Sequence, residues 1–251
     1  MTYMWALYAR EVKRFQKLLI DTLLSPIIQM VLFLTVFGIT LQGQDVEGIP
    51  FVTFVFAGLL MMIMVNSSFS NPTFALILGK NVGTIIDLQL APIKPGSIGL
   101  AYALAAFSRG LLTILVAMLI TVWFVPEFTI SNPFLMLVAL LLTGIQFGLL
   151  GVTFGMIAKN FESLTIVMGF VLQPMIFLAG IFYPIASLPA PFDLISRFNP
   201  LHHNINLFRY TTLGYADTHP MLSLAVIAGI TIVMYFVVQR VTRTALRKSY
   251  S

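Results

Sequence analysis

The sequence predicts an all-α integral membrane protein: an N-terminal amphipathic interfacial helix plus six transmembrane helices, with both termini cytoplasmic. Three observations carry this. Of 251 residues, 59% are hydrophobic and only 9% charged, where a soluble domain carries about 25% charged residues. Six apolar runs come close to or exceed the ~20 residues a helix needs to cross the hydrocarbon core: residues 22–41, 51–76, 100–125, 133–158, 164–185 and 221–238. With the N-terminus inside, eleven Lys and Arg fall on cytoplasmic segments and two, Arg197 and Arg209, on outer ones, with Arg109 in or beside the third run. That asymmetry sets orientation. The whole chain, 1–251, reads as one membrane domain with no removable signal peptide. The formal charge of +5 lies in cations flanking apolar runs, which suits a lipid bilayer and excludes a nucleic-acid module.

Taken in order, residues 1–20 form the interfacial helix. At about 100° per residue, Met4, Trp5, Tyr8, Val12, Phe15 and Leu19 share one face and Arg10, Lys13, Arg14 and Lys17 the other. The basic side is then expected to face anionic lipid or a partner. A cytosolic start of the first span is the alternative. The loop at 42–50 is expected outside with Asp45 and Glu47, as is 126–132 with Glu127.

In the second span, Asn66, Ser67, Ser68, Ser70 and Asn71 either bind helices together or line a hydrated path. Residues 77–98 form a cytoplasmic loop in which 80–90 fits a short helix, with Val82, Ile85, Ile86 and Gln89 near one face, ended by the prolines of APIKP. Arg109 is the most costly residue by position. Because 110–125 alone is almost long enough to cross, Arg109 is expected to snorkel at the cytoplasmic edge rather than form an intramembrane ion site. Gly144, Gly148, Gly151 and Gly155 make a smooth stripe for helix packing, a substrate-facing groove being the other reading. Pro174 is expected to kink the fifth span, with Gln173 nearby to satisfy freed backbone groups.

Chemistry is sparse. There are no cysteines, no GxxxxGK[ST] phosphate loop, no HExxH and no GxSxG, and no Asp or Glu lies deep in an apolar run. The last point counts against a proton- or sodium-driven carrier. His202 and His203, adjacent in FNPLHHNINLFRY, diverge by about 100° on a helix and lack an acidic partner at helical spacing. Polar lining at the water boundary fits them better than a metal site or a membrane-embedded enzyme.

GTIIDLQLAPI and the later GIFYPIASLPAPFDLISRFNPLHHNINLFRYTTLG resemble the ATP-binding-cassette type 2 export permease family, whose members carry a GT-x-x-x-L-x-x-x-P cytoplasmic element and a G-x-x-[FY]-P, L-P, N-P, R series in the last outer loop. Gly83, Thr84, Leu88 or Leu90, and Pro92 match the first. Gly180, Tyr183, Pro184, Leu188, Pro189, Asn199, Pro200 and Arg209 match the second. Many relatives carry Arg-Glu before the Gly-Thr, where this chain has Lys80 and Asn81, so a salt bridge to the ATPase through that Glu is not carried over.

The resemblance implies the permease subunit of an exporter in a bacterial inner membrane. Two copies, a homodimer, would work with two copies of a cytoplasmic ATPase that holds the ATP and magnesium; this chain would hold no cofactor. A hydrophobic or amphiphilic substrate (lipid, glycan or drug-like) would move outward by alternating access. Lys80, Gly83, Thr84, Asp87, Leu88 and Pro92 would couple to the ATPase. The segment 186–219, with short re-entrant helices over 187–214, would cap the outer end through Tyr183, Pro184, Leu188, Pro189, Asn199, Pro200 and Arg209. Asn66, Ser67, Ser70 and Asn71 are candidate pathway lining. The alternative is a secondary carrier or channel built on Arg109 and the same polar cluster.

Overall fold

The computed structural model describes residues 2–17, 19–41, 43–125 and 128–248, without the side chains of 2, 19, 21, 22, 247 and 248. Glu127 of the expected outer loop and the side chain of Leu19 on the expected apolar face therefore lie outside the description. The chain is helical nearly throughout: α1 (Thr2–Gln16), α2 (Leu19–Thr40), α3 (Phe51–Val82), α4 (Ile85–Leu90), α5 (Pro95–Thr121), α6 (Pro133–Ile157), α7 (Phe161–Val167), α8 (Gln173–Phe177), α9 (Phe192–Phe198), α10 (Pro200–Leu213) and α11 (Pro220–Lys248). A two-residue hairpin pairs β1 (Asp45–Val46) with β2 (Ile49–Pro50) just before α3.

Five helices among the described residues are long and apolar enough to cross a membrane. The fifth apolar run departs from expectation. Its helix covers Phe161–Phe177 and not 164–185, spanning about 25 Å at 1.5 Å per residue. The reason is local: Gly180 sits at φ +83°, a left-handed conformation that ends a helix. Between α7 and α8, residues Met168–Leu172 form a π-helical stretch. The wider turn lies directly before Pro174, which has no N–H to donate backwards.

The centre of the bundle is α3, buried along most of its length and apolar on every side over its first half, as suits a helix enclosed by others. Against it and α5 lies the glycine face of α6. A Cβ at Gly148 would stand 2.9 Å from the Ala103 Cα, and one at Gly155 3.0 Å from the Thr73 Cα. The stripe is a packing face: the backbones touch because nothing stands between them. Thr73 Oγ1 donates to the Gly151 carbonyl at 3.0 Å across this contact.

Replacing Gly148 with Val drives two methyls into the α5 backbone and is expected to destabilise by about 2–3 kcal/mol. Gly169→Ala is the control, since a Cβ there meets nothing within 4 Å. Thermal unfolding of the purified chain in mild detergent reads both; only the Gly148 variant should lose Tm.

Candidate functional site

A cleft of about 310 Å³ opens between α2, α3, α5 and the π-helical stretch with α8. Ser25, Gln29, Asn66, Ser67, Ser70 and Gln173 supply polar groups; Pro26, Met62, Ile63 and Met168 supply apolar wall; Arg109 is the one charged residue of the lining among the described residues. Three of the four predicted pathway-lining residues thus meet at one place. Asn71, the fourth, stands behind it and is fully buried. Ser70 Oγ donates to its own helix at the Asn66 carbonyl, 2.7 Å away. Asn66 Oδ1, Asn71 Nδ2 and Arg109 Nε are buried and have no hydrogen-bond partner.

Arg109 is half-buried in the bundle at the wall of this cleft. It lies well inside α5, whose first residue is Pro95, about 21 Å along the axis at 1.5 Å per residue. Its Nη1 donates to Asn71 Oδ1 at 3.2 Å. The same oxygen accepts from Arg14 Nη2 at 3.0 Å, and Arg14 also reaches the Asn71 carbonyl at 3.2 Å. Two guanidiniums, from α1 and α5, therefore converge on one amide of α3.

The interfacial helix is consequently oriented differently from its sequence reading. Arg14 turns into the bundle, and Arg10, still about half exposed, reaches back to it. Arg14 pairs with the buried Glu11 at 2.8 Å, and Arg10 bonds the Tyr102 hydroxyl at 3.0 Å. Tyr8 and Ser108 hydroxyls meet at 2.9 Å. Leu7, Glu11 and Phe15 are the buried positions, while Tyr3 and Trp5 are exposed. Lys13 and Lys17 remain exposed. The helical moment shows that α1 has two faces, but the polar partners on α3 and α5 decide which way it turns.

At this end a second cleft, about 450 Å³, separates α1 from α4. Gly83 takes φ +84° at the end of α3, so that α4 can fold back; Leu88 is its buried anchor, packed in a cluster with Leu7, Leu76 and Ile98. Thr84 and Asp87 line the cleft beside Lys13 and Lys17. Pro92 follows the helix in an open stretch before α5. Lys80 has an internal commitment that its sequence context does not show: its Nζ donates to the Met156 and Ala158 carbonyls at 2.6 and 2.8 Å, capping the last turn of α6. Ile86 and Leu90 are left exposed, four residues apart on α4 and hence on one side; Val82, the last residue of α3, is exposed as well.

The opposite end is closed around Arg209. Buried in α10, it donates to the carbonyls of Gly180 (3.0 Å), Ile181 (3.3 Å) and Phe54 (3.5 Å), lies 3.6 Å from the centre of the Phe54 ring and approaches Asp217 at 3.8 Å. Tyr183 donates to the Phe177 carbonyl at 2.6 Å. A 3₁₀ turn, Ile185–Ser187, separates Pro184 from Leu188 and Pro189. Asn199 stands between α9 and α10, accepting from Leu201 N and donating to the Met175 carbonyl; Pro200 opens α10.

Of the two histidines, His202 is an interior residue and His203 is half-buried. His202 is buried with Nε2 3.1 Å from Thr218 Oγ1, and His203 Nδ1 is 3.2 Å from Ser223 Oγ. Burial, with the neighbouring His203 adding to it, brings the His202 pKa down to about 4, so it is neutral near pH 7. No group of three potential metal ligands occurs among the described residues.

Two outcomes are expected at this end of the molecule. Arg209→Met strands three carbonyls and Asp217, and is expected to cost about 3–5 kcal/mol, seen as a lowered Tm and faster proteolysis around 178–199. For His202 the folded pKa lies below the ordinary 6.5, so its contribution is present above pH 6.5 and fades as pH falls toward 4. Between pH 7 and pH 5 this amounts to about 1–2 kcal/mol. His202→Gln should flatten the dependence of Tm on pH over that interval.

The sequence pattern of the ABC-2 type transporter family matches residues 2–213. The chain is 29% identical over 234 residues to the inner membrane transport permease YadH of Escherichia coli strain K12, covering 92% of this chain and 91% of that one. It is 28% identical over 212 residues to nodulation protein J of Sinorhizobium fredii, covering 81% and 79%. A shorter stretch of 105 residues is 33% identical to nodulation protein J of Rhizobium leguminosarum bv. viciae. A bundle of apolar helices that encloses a polar cleft and carries no nucleotide-binding motif suits such a permease, and by the span of the match this chain belongs to the ABC-2 type transporter family.

Proposed function

We propose that the chain is the membrane-spanning permease of an ATP-driven exporter in a bacterial inner membrane. It acts as a homodimer with two copies of a cytoplasmic ATPase, which binds ATP and magnesium. The observation that carries this reading is the face of α4. Ile86 and Leu90 point away from the bundle while Leu88 fixes the helix beneath them. An apolar ridge on a segment held at both ends is suited to a groove on a partner. Gly83, Thr84, Asp87 and Pro92 shape that segment, and Lys80 holds the end of α3 to α6. Movement of the ridge would then reach α3 and α6 together. The cleft with Asn66, Ser67, Ser70 and Arg109 is where a hydrophobic or amphiphilic substrate would pass outward. Residues around Arg209 would form the outer cap, which must open in each cycle. A carrier driven by an ion gradient is disfavoured because the described lining of the cleft contains no carboxylate.

Co-expression with the cassette ATPase of the same operon tests the proposal. The wild-type chain should co-purify with the ATPase. Changing Ile86 and Leu90 together to Asp should weaken that association by about ten-fold or more with the permease still folded. Sustained flux by the purified chain alone under an ion gradient, with no ATPase present, would overturn it.

A further inference from the structure

We propose that the cleft between α2, α3, α5 and α8 binds the anionic group of an amphiphile, with Arg109 as its counter-charge. This rests on the transport reading above and names the chemistry of the cargo. Of the five N–H donors of Arg109, the structure shows one in use, toward Asn71 at 3.2 Å. Its Nε is buried without a partner. Among the described residues no carboxylate lies within 4.0 Å of it, all the paired cations of α1 sharing Glu11 instead. Arg14, on the same Asn71 oxygen, adds a second positive charge nearby. Three guanidiniums and one carboxylate thus gather here, leaving an excess of positive charge in a half-buried setting.

An anion in the cleft offsets that excess with charge-assisted hydrogen bonds. Ser25, Gln29, Ser70 and Gln173 give neutral polar contacts around the cleft. The remaining wall is Pro26, Met62, Ile63 and Met168, which suits an alkyl or isoprenoid chain and has nothing to offer a free inorganic ion. A phosphate-type headgroup on a hydrophobic tail fits both halves.

The test uses the full chain purified in dodecyl maltoside, with dodecyl phosphate as probe and thermal stability as readout. Dodecyl phosphate should raise Tm saturably, and inorganic phosphate at equal concentration should not. Arg109→Gln should weaken the apparent affinity about ten-fold or more, the worth of a charge-assisted bond. Arg109→Lys should stay within about three-fold, because it keeps the charge. Lys159→Gln, at an exposed position away from the cleft, should match wild type. Should Arg109→Gln not yield folded protein, Asn66→Leu fills the same cleft and should reduce affinity comparably. Wild-type affinity in Arg109→Gln or in Asn66→Leu, or equal potency of inorganic phosphate, would overturn the proposal. The assay needs neither ATPase nor flux. Its failure beside intact ATPase association removes the anionic cargo alone, whereas loss of that association beside intact binding removes the exporter reading alone.

Discussion

The bundle depends on one close contact, the glycine face of α6 lying against α3 and α5. Because the backbones meet there, α3 is enclosed, and the buried polar groups it carries have only the protein to turn to. Asn71 is the clearest case. It cannot reach water, so it becomes the meeting point of Arg14 and Arg109. Asn66, Ser67 and Ser70, on the same stretch of α3, face the gap between α3, α2 and α8 and form the cleft. A bulkier α6 would hold the helices apart and dissolve both arrangements.

Much of the architecture was legible in the sequence because the bilayer sets the length of an apolar helix. Runs of apolar residues mark four of the long helices closely, and Asn199-Pro200 marks the break between α9 and α10. What could not be read were partners distant along the chain. Lys80 looks like a free cation in a loop, yet its acceptors are 76 and 78 residues away. Arg109 shows no partner in the sequence, yet its acceptor is Asn71 on α3, 38 residues away. His202 and His203 look available, but Thr218 and Ser223 return to cover them.

The two ends of the molecule are built on different physics. Around α4 the contacts are apolar, with a single buried leucine beneath an exposed ridge. Such contacts slide at little cost because they have no direction. Around Arg209 the contacts are directional hydrogen bonds to three carbonyls in a dry setting, which hold one geometry or none. α3 runs from one end to the other, about 48 Å at 1.5 Å per residue. It joins a compliant end to a stiff one.

The spacing of these contacts along the chain also sets an order in time. The chain is made from its N-terminus, yet Arg10 bonds a residue 92 positions later and Phe54 receives Arg209 after 155 more. During synthesis α1 has no polar partner on α5 until the third long helix has emerged, and must rest at the lipid surface with its arginines hydrated. The far end of α3 stays open until α10 arrives near completion. A ribosome stalled after α6 would therefore present a bundle already clasped at one end and unsealed at the other, the state in which membrane quality control would meet it.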